Sequence, residues 1–214
     1  MRSYVLRKAI EKRMLLEKIS KNALLGSPVL EAGCGTGANS SMLAHSGYKV
    51  ISIDNDWEVL NLAKKMSDEF GNAPKNPSFV NASIYELPFK NNAFSLCFSH
   101  GVLEHFSDPT LERIINEQMR VAGTVILSVP SSYFKEEDKM YGDERFLTFG
   151  KWRQIAEQAG AQVDDYFGYY FFNNKALDTI NRINPKLLIN HAPYIGLVIS
   201  RRENQRISHG LTRD

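Results

Sequence analysis

A strand-like run of apolar residues is followed by three alternating glycines and then by a helical pattern. The stretch reads Val29-Leu30-Glu31-Ala32-Gly33-Cys34-Gly35-Thr36-Gly37. A ligand that lies across the C-terminal end of a strand must approach the backbone closely, which requires residues that lack side chains and tolerate positive φ. The predicted strand before the glycines and the predicted helix after them favour a ligand-binding loop over a merely flexible turn.

Two classes of cofactor fit these glycines. Gly33, Gly35 and Ala38 have the spacing of a dinucleotide-binding loop, so an oxidoreductase that uses a nicotinamide or a flavin stays open. Glu31 favours another class, because a carboxylate just before the first glycine would repel a pyrophosphate and attract an ammonium or a sulfonium. S-adenosylmethionine carries both cations and no phosphate, and we expect it to be the cofactor.

A second carboxylate, Asp54, follows the next predicted strand. In a doubly wound sheet this position lies beside the ribose of the cofactor, and its two oxygens can accept hydrogen bonds from both ribose hydroxyls. A hydrogen bond to a charged acceptor contributes roughly 1.5–3 kcal/mol. Asp56 is the alternative, but it directly precedes a predicted helix and is more simply explained as its N-cap.

Short apolar runs alternate with helix-length segments, which predicts an α/β fold with a doubly wound, mostly parallel sheet and helices on both faces. Strands are predicted at 29–32, 49–53, 78–81, 94–99 and 124–129, and helices at 37–46, 57–68, 110–120 and 149–159. Beyond Gly160 we predict a strand at 162–172, a helix at 173–190 broken at Pro185, and a closing strand at 194–200. The two late strands indicate an appended antiparallel edge.

Composition narrows the class of protein. A formal charge of +2 gives no strong basic stripe for nucleic acid, and no apolar run reaches the ~20 residues of a membrane span. The only cysteines, Cys34 and Cys97, have no zinc-like spacing, so we expect no metal site and a reducing cytoplasm. The basic N-terminal stretch contains Glu11 and Glu17, which favours a folded helix over a transit peptide.

The order of motifs resembles that of the class I S-adenosylmethionine-dependent methyltransferases, and within them the small-molecule branch related to ubiquinone and menaquinone methyltransferases. The resemblance covers residues 29–160. Beyond the glycines and Asp54 it is carried by Glu86-Leu87-Pro88-Phe89, Gly101-Val102-Leu103-Glu104-His105-Phe106, Arg120-Val121 and Ser128-Val129-Pro130. Several motifs in the family's order are more specific than any one of them.

The resemblance implies a Rossmann-like sheet of seven strands with an antiparallel last strand, and a cofactor across the ends of the first, second and fourth strands. The glycines would face the methionine and ribose, Glu31 would bind the amino group, Asp54 the ribose, and Asn55 would lie beside the adenine. Ser83 stands where the family usually has an acid that binds the adenine. The full predicted set of cofactor-binding residues is Glu31, Gly33, Cys34, Gly35, Gly37, Asp54, Asn55, Ser83, Ile84 and Ser99.

Methyl transfer from a sulfonium is an in-line displacement, so positioning the acceptor can supply much of the catalysis. A general base is needed only for a protonated acceptor, and His105 is the candidate, although a structural histidine is the alternative. Aromatic residues in segments that should border the site either form an acceptor pocket or pack a small core. They are Tyr133, Phe134, Tyr141, Phe146, Tyr166, Phe167, Tyr169 and Tyr170.

We therefore expect one methyltransferase domain over residues 1–214. It would consist of an N-terminal helix (1–26), a cofactor-binding core (27–130), a possible lid (131–148), the C-terminal half of the sheet (149–202) and a tail (203–214). The expected acceptor is a small organic molecule rather than a nucleic acid or protein, although basic residues near the N-terminus leave an anionic acceptor or RNA open. A non-catalytic cofactor-binding protein and, more distantly, a dinucleotide-dependent oxidoreductase are the alternatives; the oligomeric state is not predicted.

Overall fold

The computed structural model describes residues 12–71, 76–171 and 175–202. The predicted tail at 203–214, the first 11 residues of the predicted N-terminal helix and residues 172–174 lie outside these ranges. The helices are α1 (Arg13–Asn22), α2 (Ala38–His45), α3 (Trp57–Phe70), α4 (Asp108–Val121), α5 (Phe149–Gln158) and α6 (Lys175–Ile183). The strands are β1 (Val29–Ala32), β2 (Val50–Asp54), β3 (Ser78–Asn81), β4 (Leu96–His100), β5 (Thr124–Pro130), β6 (Ala161–Tyr169) and β7 (Tyr194–Arg201).

All seven strands form one sheet in the order β3-β2-β1-β4-β5-β7-β6. The first five strands of this order, β3, β2, β1, β4 and β5, are parallel to one another. β7 runs antiparallel to both β5 and β6. The mostly parallel sheet with an antiparallel last strand is therefore confirmed. Because the strand order reverses between β1 and β4, the helices that follow these two strands leave a crevice at the carboxyl ends of the strands.

The two late strands form the predicted antiparallel edge, with β7 paired to β5 and β6 outermost. Five consecutive residues of β7 are buried, from Ile195 to Ile199, as expected of a strand that is covered on both faces. In β6, Gln162 and Asp164 are exposed, so this strand suits the edge. β6 also ends at Tyr169 rather than at residue 172, and the next residue, Tyr170, has a positive φ of 85°.

Successive residues of each strand point to opposite faces of the sheet, and each face is covered by helices. Leu30 belongs to a core that contains Leu111 and Ile115 of α4 and Trp152 of α5. On the other face, its neighbour Val29 belongs to a core completed by α1 and α2, through Leu15, Ile19 and Leu43. None of the helices within the described ranges has the length and apolarity that crossing a membrane requires.

The helices that border the crevice begin where their sequences predict a start. The Asp56 carboxylate caps α3 by accepting hydrogen bonds from the Glu58 N–H at 2.8 Å and the Val59 N–H at 3.3 Å. This confirms the prediction that Asp56 is an N-cap. α4 begins at Asp108, two residues earlier than predicted, because Pro109 is well suited to the first turn of a helix.

Candidate cofactor cleft and active site

A cleft of about 470 Å³ lies at the carboxyl ends of β1, β2, β3 and β4. Its size is within the range of sites that bind small molecules. Each of the four strands contributes the residues that directly follow it, so the parallel arrangement gathers distant parts of the sequence at one edge of the sheet. The lining includes Glu31, Gly33, Cys34, Gly35, Asp54, Asn55, Ala82, Ser83, Ile84, Tyr85, Gly101, Val102, His105 and Phe106.

The three glycines Gly33, Gly35 and Gly37 have different surroundings, so a glycine is favoured at each position for a different reason. Gly33 has a φ of 78°, and a Cβ at this position would lie 2.6 Å from a methyl group of Val102, so a side chain would clash. Gly35 has a φ of 49° and borders open space in the cleft. Gly37 does not line the cleft; it precedes α2 with a φ of 69°, and a Cβ there would lie 3.0 Å from both Ala63 and Phe79. The close approach of α3 and β3 thus explains a glycine at this position.

Glu31 lies at one end of the cleft and is almost fully buried. Its carboxylate accepts hydrogen bonds from the Asn39 side-chain amide at 2.8 Å and from the Ser40 hydroxyl. The Lys12 ammonium donates to the Asn39 side-chain oxygen at 3.2 Å and also borders the cleft. Burial raises the pKa of Glu31 to about 7, while the hydrogen bonds and the charge of Lys12 act in the opposite direction. A carboxylate and an ammonium thus stand close together at this end.

Asp54, at the end of β2, is fixed by two backbone groups. Its Oδ2 accepts a hydrogen bond from the Gly35 N–H at 3.1 Å, and its Oδ1 accepts one from the Asp56 N–H at 3.2 Å. These contacts tie the carboxylate to the glycine loop. Each carboxylate oxygen has more than one acceptor site, so both oxygens can accept a further hydrogen bond from a ligand. Asn55, next to it, is exposed and lines the cleft.

The residues that follow β3 form the opposite end of the cleft. The Ser83 hydroxyl accepts a hydrogen bond from the Tyr85 N–H at 3.2 Å, which stabilises the turn after the strand. Ile84 is half-buried, and the ring of Tyr85 contacts that of Phe106 edge to face at 5.6 Å. This end therefore combines apolar and aromatic surface with the hydroxyl groups of Ser83 and Tyr85.

Cys34 and Ser99 were both predicted to lie near the cofactor, and the structure places only Cys34 in the lining of the cleft. Cys34 lines the cleft, and its burial, together with the charges of Glu31 and Asp54, raises the pKa of the thiol, so it stays protonated and is no nucleophile. Ser99 is fully buried within β4 and does not line the cleft; its hydroxyl has no hydrogen-bond partner among the described residues. The next residue, His100, lines the cleft instead.

His100, which lines the cleft, belongs to a polar network with two buried hydroxyl groups. Its Nδ1 lies 2.9 Å from the Ser128 hydroxyl and 3.0 Å from the Tyr169 hydroxyl, and these two hydroxyls are 2.5 Å apart. β4, β5 and β6 each contribute one member. No sequence motif predicts this network, because Tyr169 is distant in the chain from both His100 and Ser128. In the sheet, β7 lies between β5 and β6, so these two strands are not direct neighbours.

His105 also lines the cleft, from a 3-10 turn (Leu103–His105) that follows β4. Its Nδ1 lies 2.7 Å from Oδ1 of Asp143, and the ring of Tyr141 meets the imidazole edge to face at 5.8 Å. Tyr141 and Asp143 both belong to the predicted lid at 131–148. The sequence did not reveal Asp143 as a partner, because no motif surrounds it and the contact spans 38 residues.

Glu104, the neighbour of His105, is 4% exposed, and its Oε2 has no hydrogen-bond partner among the described residues. Burial raises its pKa to about 7. In the part of the chain that the structure describes, no three His, Cys, Asp or Glu side chains converge in a way that could hold a metal ion. Glu104 is thus a buried carboxyl next to the cleft-lining His105, with one oxygen unpartnered among the described residues.

The aromatic residues that were predicted to form either an acceptor pocket or a small core mainly pack on one another. Phe134 contacts Phe146 and Tyr194 with ring centroids 5.5 Å and 5.7 Å apart, and Tyr194 contacts Tyr169 and Tyr170 at 5.7 Å and 5.1 Å. Of the eight predicted aromatic residues, Tyr141 is the one that lines the cleft. The cluster supports the walls of the site rather than its interior.

Known proteins share both the sequence pattern and the fold. A family model described as a methyltransferase domain matches residues 29–123. The chain is 28% identical over 142 residues to the uncharacterized methyltransferase YodH of Bacillus subtilis, covering 63% of this chain and 60% of that protein. It is 36% identical over 139 residues to the malonyl-[acyl-carrier protein] O-methyltransferase of Hamiltonella defensa, covering 59% of this chain and 50% of that protein.

The chain thus spans about half to three fifths of the length of these two relatives. Among solved structures, it resembles the magnesium protoporphyrin IX methyltransferase ChlM from Synechocystis PCC 6803 with bound SAM. The TM-score is 0.64 at 17% identity, over 94% of this chain and 84% of that one. At this identity the likeness shows the fold alone. Residues 29–123 therefore match a methyltransferase domain, within a fold that is shared with S-adenosylmethionine-dependent methyltransferases.

Proposed function

We propose that S-adenosylmethionine binds in the described cleft and that the protein transfers its methyl group to a small organic acceptor. The observation that carries the proposal is the pair of opposite charges at Glu31 and Lys12, with the Asp54 carboxylate farther along the cleft. An amino-acid ammonium and carboxylate match the first two groups, and the ribose hydroxyls match the third. Asn55, Ser83 and Ile84 would then surround the adenine.

The same charges argue against a dinucleotide. Glu31 lines the cleft beside the glycine loop, and a pyrophosphate laid across this loop would approach its carboxylate. In a partly buried site this repulsion is only weakly screened by salt. A bound ammonium would instead favour the ionised form of Glu31, whose pKa is raised to about 7 mainly by burial.

The acceptor is proposed from the rim of the cleft beyond β4. Val102, Phe106 and Tyr141 present mostly apolar surface there, and His105 is the polar group among them. The two named relatives with stated acceptors act on malonyl-[acyl-carrier protein] and magnesium protoporphyrin IX, so the shared fold does not fix the acceptor. An in-line displacement needs the acceptor held behind the methyl group, and such positioning can lower the barrier by roughly 7–11 kcal/mol.

Isothermal titration calorimetry with three ligands tests the cofactor assignment. We expect S-adenosylmethionine and its product S-adenosylhomocysteine to bind with micromolar dissociation constants, about −8 kcal/mol each, and NAD to give no heat. Clear binding of NAD with no heat from either adenosyl ligand would overturn the assignment. Tight binding of both adenosyl ligands, without methyl transfer to any acceptor in a metabolite screen, would favour a non-catalytic cofactor-binding protein.

A further inference from the structure

A histidine and a carboxylate meet at the rim of the cleft, outside the residues proposed to hold the cofactor. Nδ1 of His105 and Oδ1 of Asp143 are 2.7 Å apart, and the two side chains are 24% and 62% exposed. His105 lies on the turn after β4, whereas Asp143 belongs to the 131–148 segment. The pair therefore joins the cofactor-binding half of the protein to the segment that borders the acceptor side.

The turn that carries Asp143 is held rigidly. The Glu144 carboxylate accepts hydrogen bonds from the backbone N–H groups of Met140, Tyr141 and Gly142, each at 2.9 Å. Three amides on one carboxylate fix the conformation of the residues directly before Asp143. Its neighbour Glu144 is itself buried. The position of Asp143 is thus set by the local fold and not by its contact with His105 alone.

Arg145 connects the same turn by hydrogen bonds to the two residues that flank His105 in the sequence. Its backbone N–H donates to the Glu104 carbonyl at 2.9 Å, and its guanidinium donates to the Phe106 carbonyl at 2.5 Å and to the Asp108 carboxylate at 2.5 Å. These contacts hold the residue before His105 and the residue after it. The alignment of His105 with Asp143 is therefore built by several independent hydrogen bonds.

This arrangement decides which ring nitrogen is available in the cleft. A carboxylate can only accept a hydrogen bond, so a neutral His105 paired with Asp143 carries its proton on Nδ1. Nε2 then keeps its lone pair, and no described residue supplies a hydrogen-bond partner for it. Because the ring lines the cleft beside Val102 and Tyr141, Nε2 is placed to accept a proton from a bound acceptor.

We propose that His105 is the general base, that Asp143 is its positioning residue, and that the acceptor is a neutral hydroxyl compound, an alcohol or a phenol. This inference rests on the proposed function. The hydroxyl oxygen forms a bond to the methyl carbon, the bond between that carbon and sulfur breaks, and its electron pair leaves with sulfur as neutral S-adenosylhomocysteine. The hydroxyl proton passes to Nε2 of His105, and the resulting imidazolium pairs with Asp143 until it releases the proton to water.

The surrounding charges favour a hydroxyl over a carboxylate acceptor. The ionisable groups that contact or neighbour His105 are Glu104 from its own turn and Asp143 and Tyr141 from the 131–148 segment. An anionic acceptor would meet like charges there, and it would need no base. The phenols and alcohols that fit the apolar rim are neutral at physiological pH and do need one.

The first test does not require the natural acceptor. Long-range ¹H–¹⁵N NMR of the protein bound to S-adenosylhomocysteine reports which nitrogen of neutral His105 carries the proton. We expect Nδ1–H in the wild type, a shift toward Nε2–H in Asp143→Ala, and no change in Glu137→Ala, a charge-matched control in the same segment. The Nε2–H form in the wild type, or equal tautomers in wild type and Asp143→Ala, would overturn the proposal.

The second test uses phenol and benzoate as acceptor probes with methyl-labelled S-adenosylmethionine. We expect faster transfer to phenol than to benzoate and a kcat about 10²–10⁴-fold lower in His105→Gln, with S-adenosylhomocysteine affinity within about threefold of wild type. Asp143→Ala should lower kcat and leave the KM for the cofactor unchanged. Undiminished transfer in His105→Gln would overturn the base assignment. If the wild type itself does not bind S-adenosylmethionine, the proposed function is overturned instead.

Discussion

Glu31 and Glu104 are both buried carboxyls whose pKa is raised to about 7, chiefly by burial. Their surroundings differ. Glu31 is held by Asn39 and Ser40 and borders the cleft, whereas Oε2 of Glu104 has no partner among the described residues. A buried carboxyl with an unpartnered oxygen is destabilising when it ionises, so Glu104 contributes a pH-dependent term to the free energy of unfolding.

The sign of this term can be worked out for Glu104. Below about pH 4.5 the carboxyl is protonated in both the folded and the unfolded chain. Between its ordinary pKa of 4.5 and the folded pKa of about 7, the unfolded chain releases the proton more readily, so the free energy of unfolding falls as pH rises. The loss is complete above about pH 7 and amounts to roughly 3 kcal/mol, at about 1.4 kcal/mol per pH unit.

Glu104→Gln should remove this loss. We expect the variant to gain up to roughly 3 kcal/mol relative to the wild type between pH 4.5 and pH 8, measured by urea unfolding across that range. Glu31 titrates in the same range in both proteins, so its contribution cancels in the comparison. Parallel stability profiles of wild type and variant would show that Glu104 does not titrate with a pKa that burial has raised.

At the scale of elements, β2 and α3 carry two carboxylates with separate tasks. Asp56 caps α3 through the Glu58 and Val59 N–H groups, whereas Asp54 ends β2 and faces the cleft. The sequence was sufficient to separate them, because a helical pattern starts directly after Asp56 and a buried strand ends at Asp54. Local signals of this kind also located β1, β3 and the start of α5.

Substituting each carboxylate in turn tests this division. Asp56→Ala should lower the free energy of unfolding by ~0.5–2 kcal/mol through loss of the cap, with little change in S-adenosylhomocysteine affinity. Asp54→Ala should weaken that affinity at least tenfold, because hydrogen bonds to a charged acceptor contribute roughly 1.5–3 kcal/mol each. Calorimetry and urea unfolding of both variants give the comparison, and equal losses of affinity would place the ribose elsewhere.

Other elements could not be predicted from local signals. Phe94 is apolar and resembles the start of a strand, yet it makes an isolated bridge with Ala122, and β4 begins at Leu96. The positive φ of Tyr170 that ends β6 has no signature in its residue type, because tyrosine rarely adopts that conformation. Both differences arise where tertiary contacts override the pattern of residues.

At the scale of the whole molecule, the parallel strands explain why residues far apart in sequence form one cleft. The carboxyl ends of β1, β2, β3 and β4 meet at one edge, so the family's motif order predicted most of the lining. It did not predict Lys12 or Asn39, which line the cleft from the residue before α1 and from α2, or Asp143 of the 131–148 segment, which contacts His105. Their placement depends on packing over the sheet, which no short motif encodes.

A crystal structure of the protein with S-adenosylhomocysteine tests the cofactor assignment most directly. We predict that the ribose hydroxyls donate hydrogen bonds to the Asp54 carboxylate, that the amino group lies at Glu31, and that the adenine lies between Asn55 and Ile84. The sulfur should then face the rim that carries His105. A ligand bound outside this cleft, or one whose ribose does not contact Asp54, would contradict the assignment.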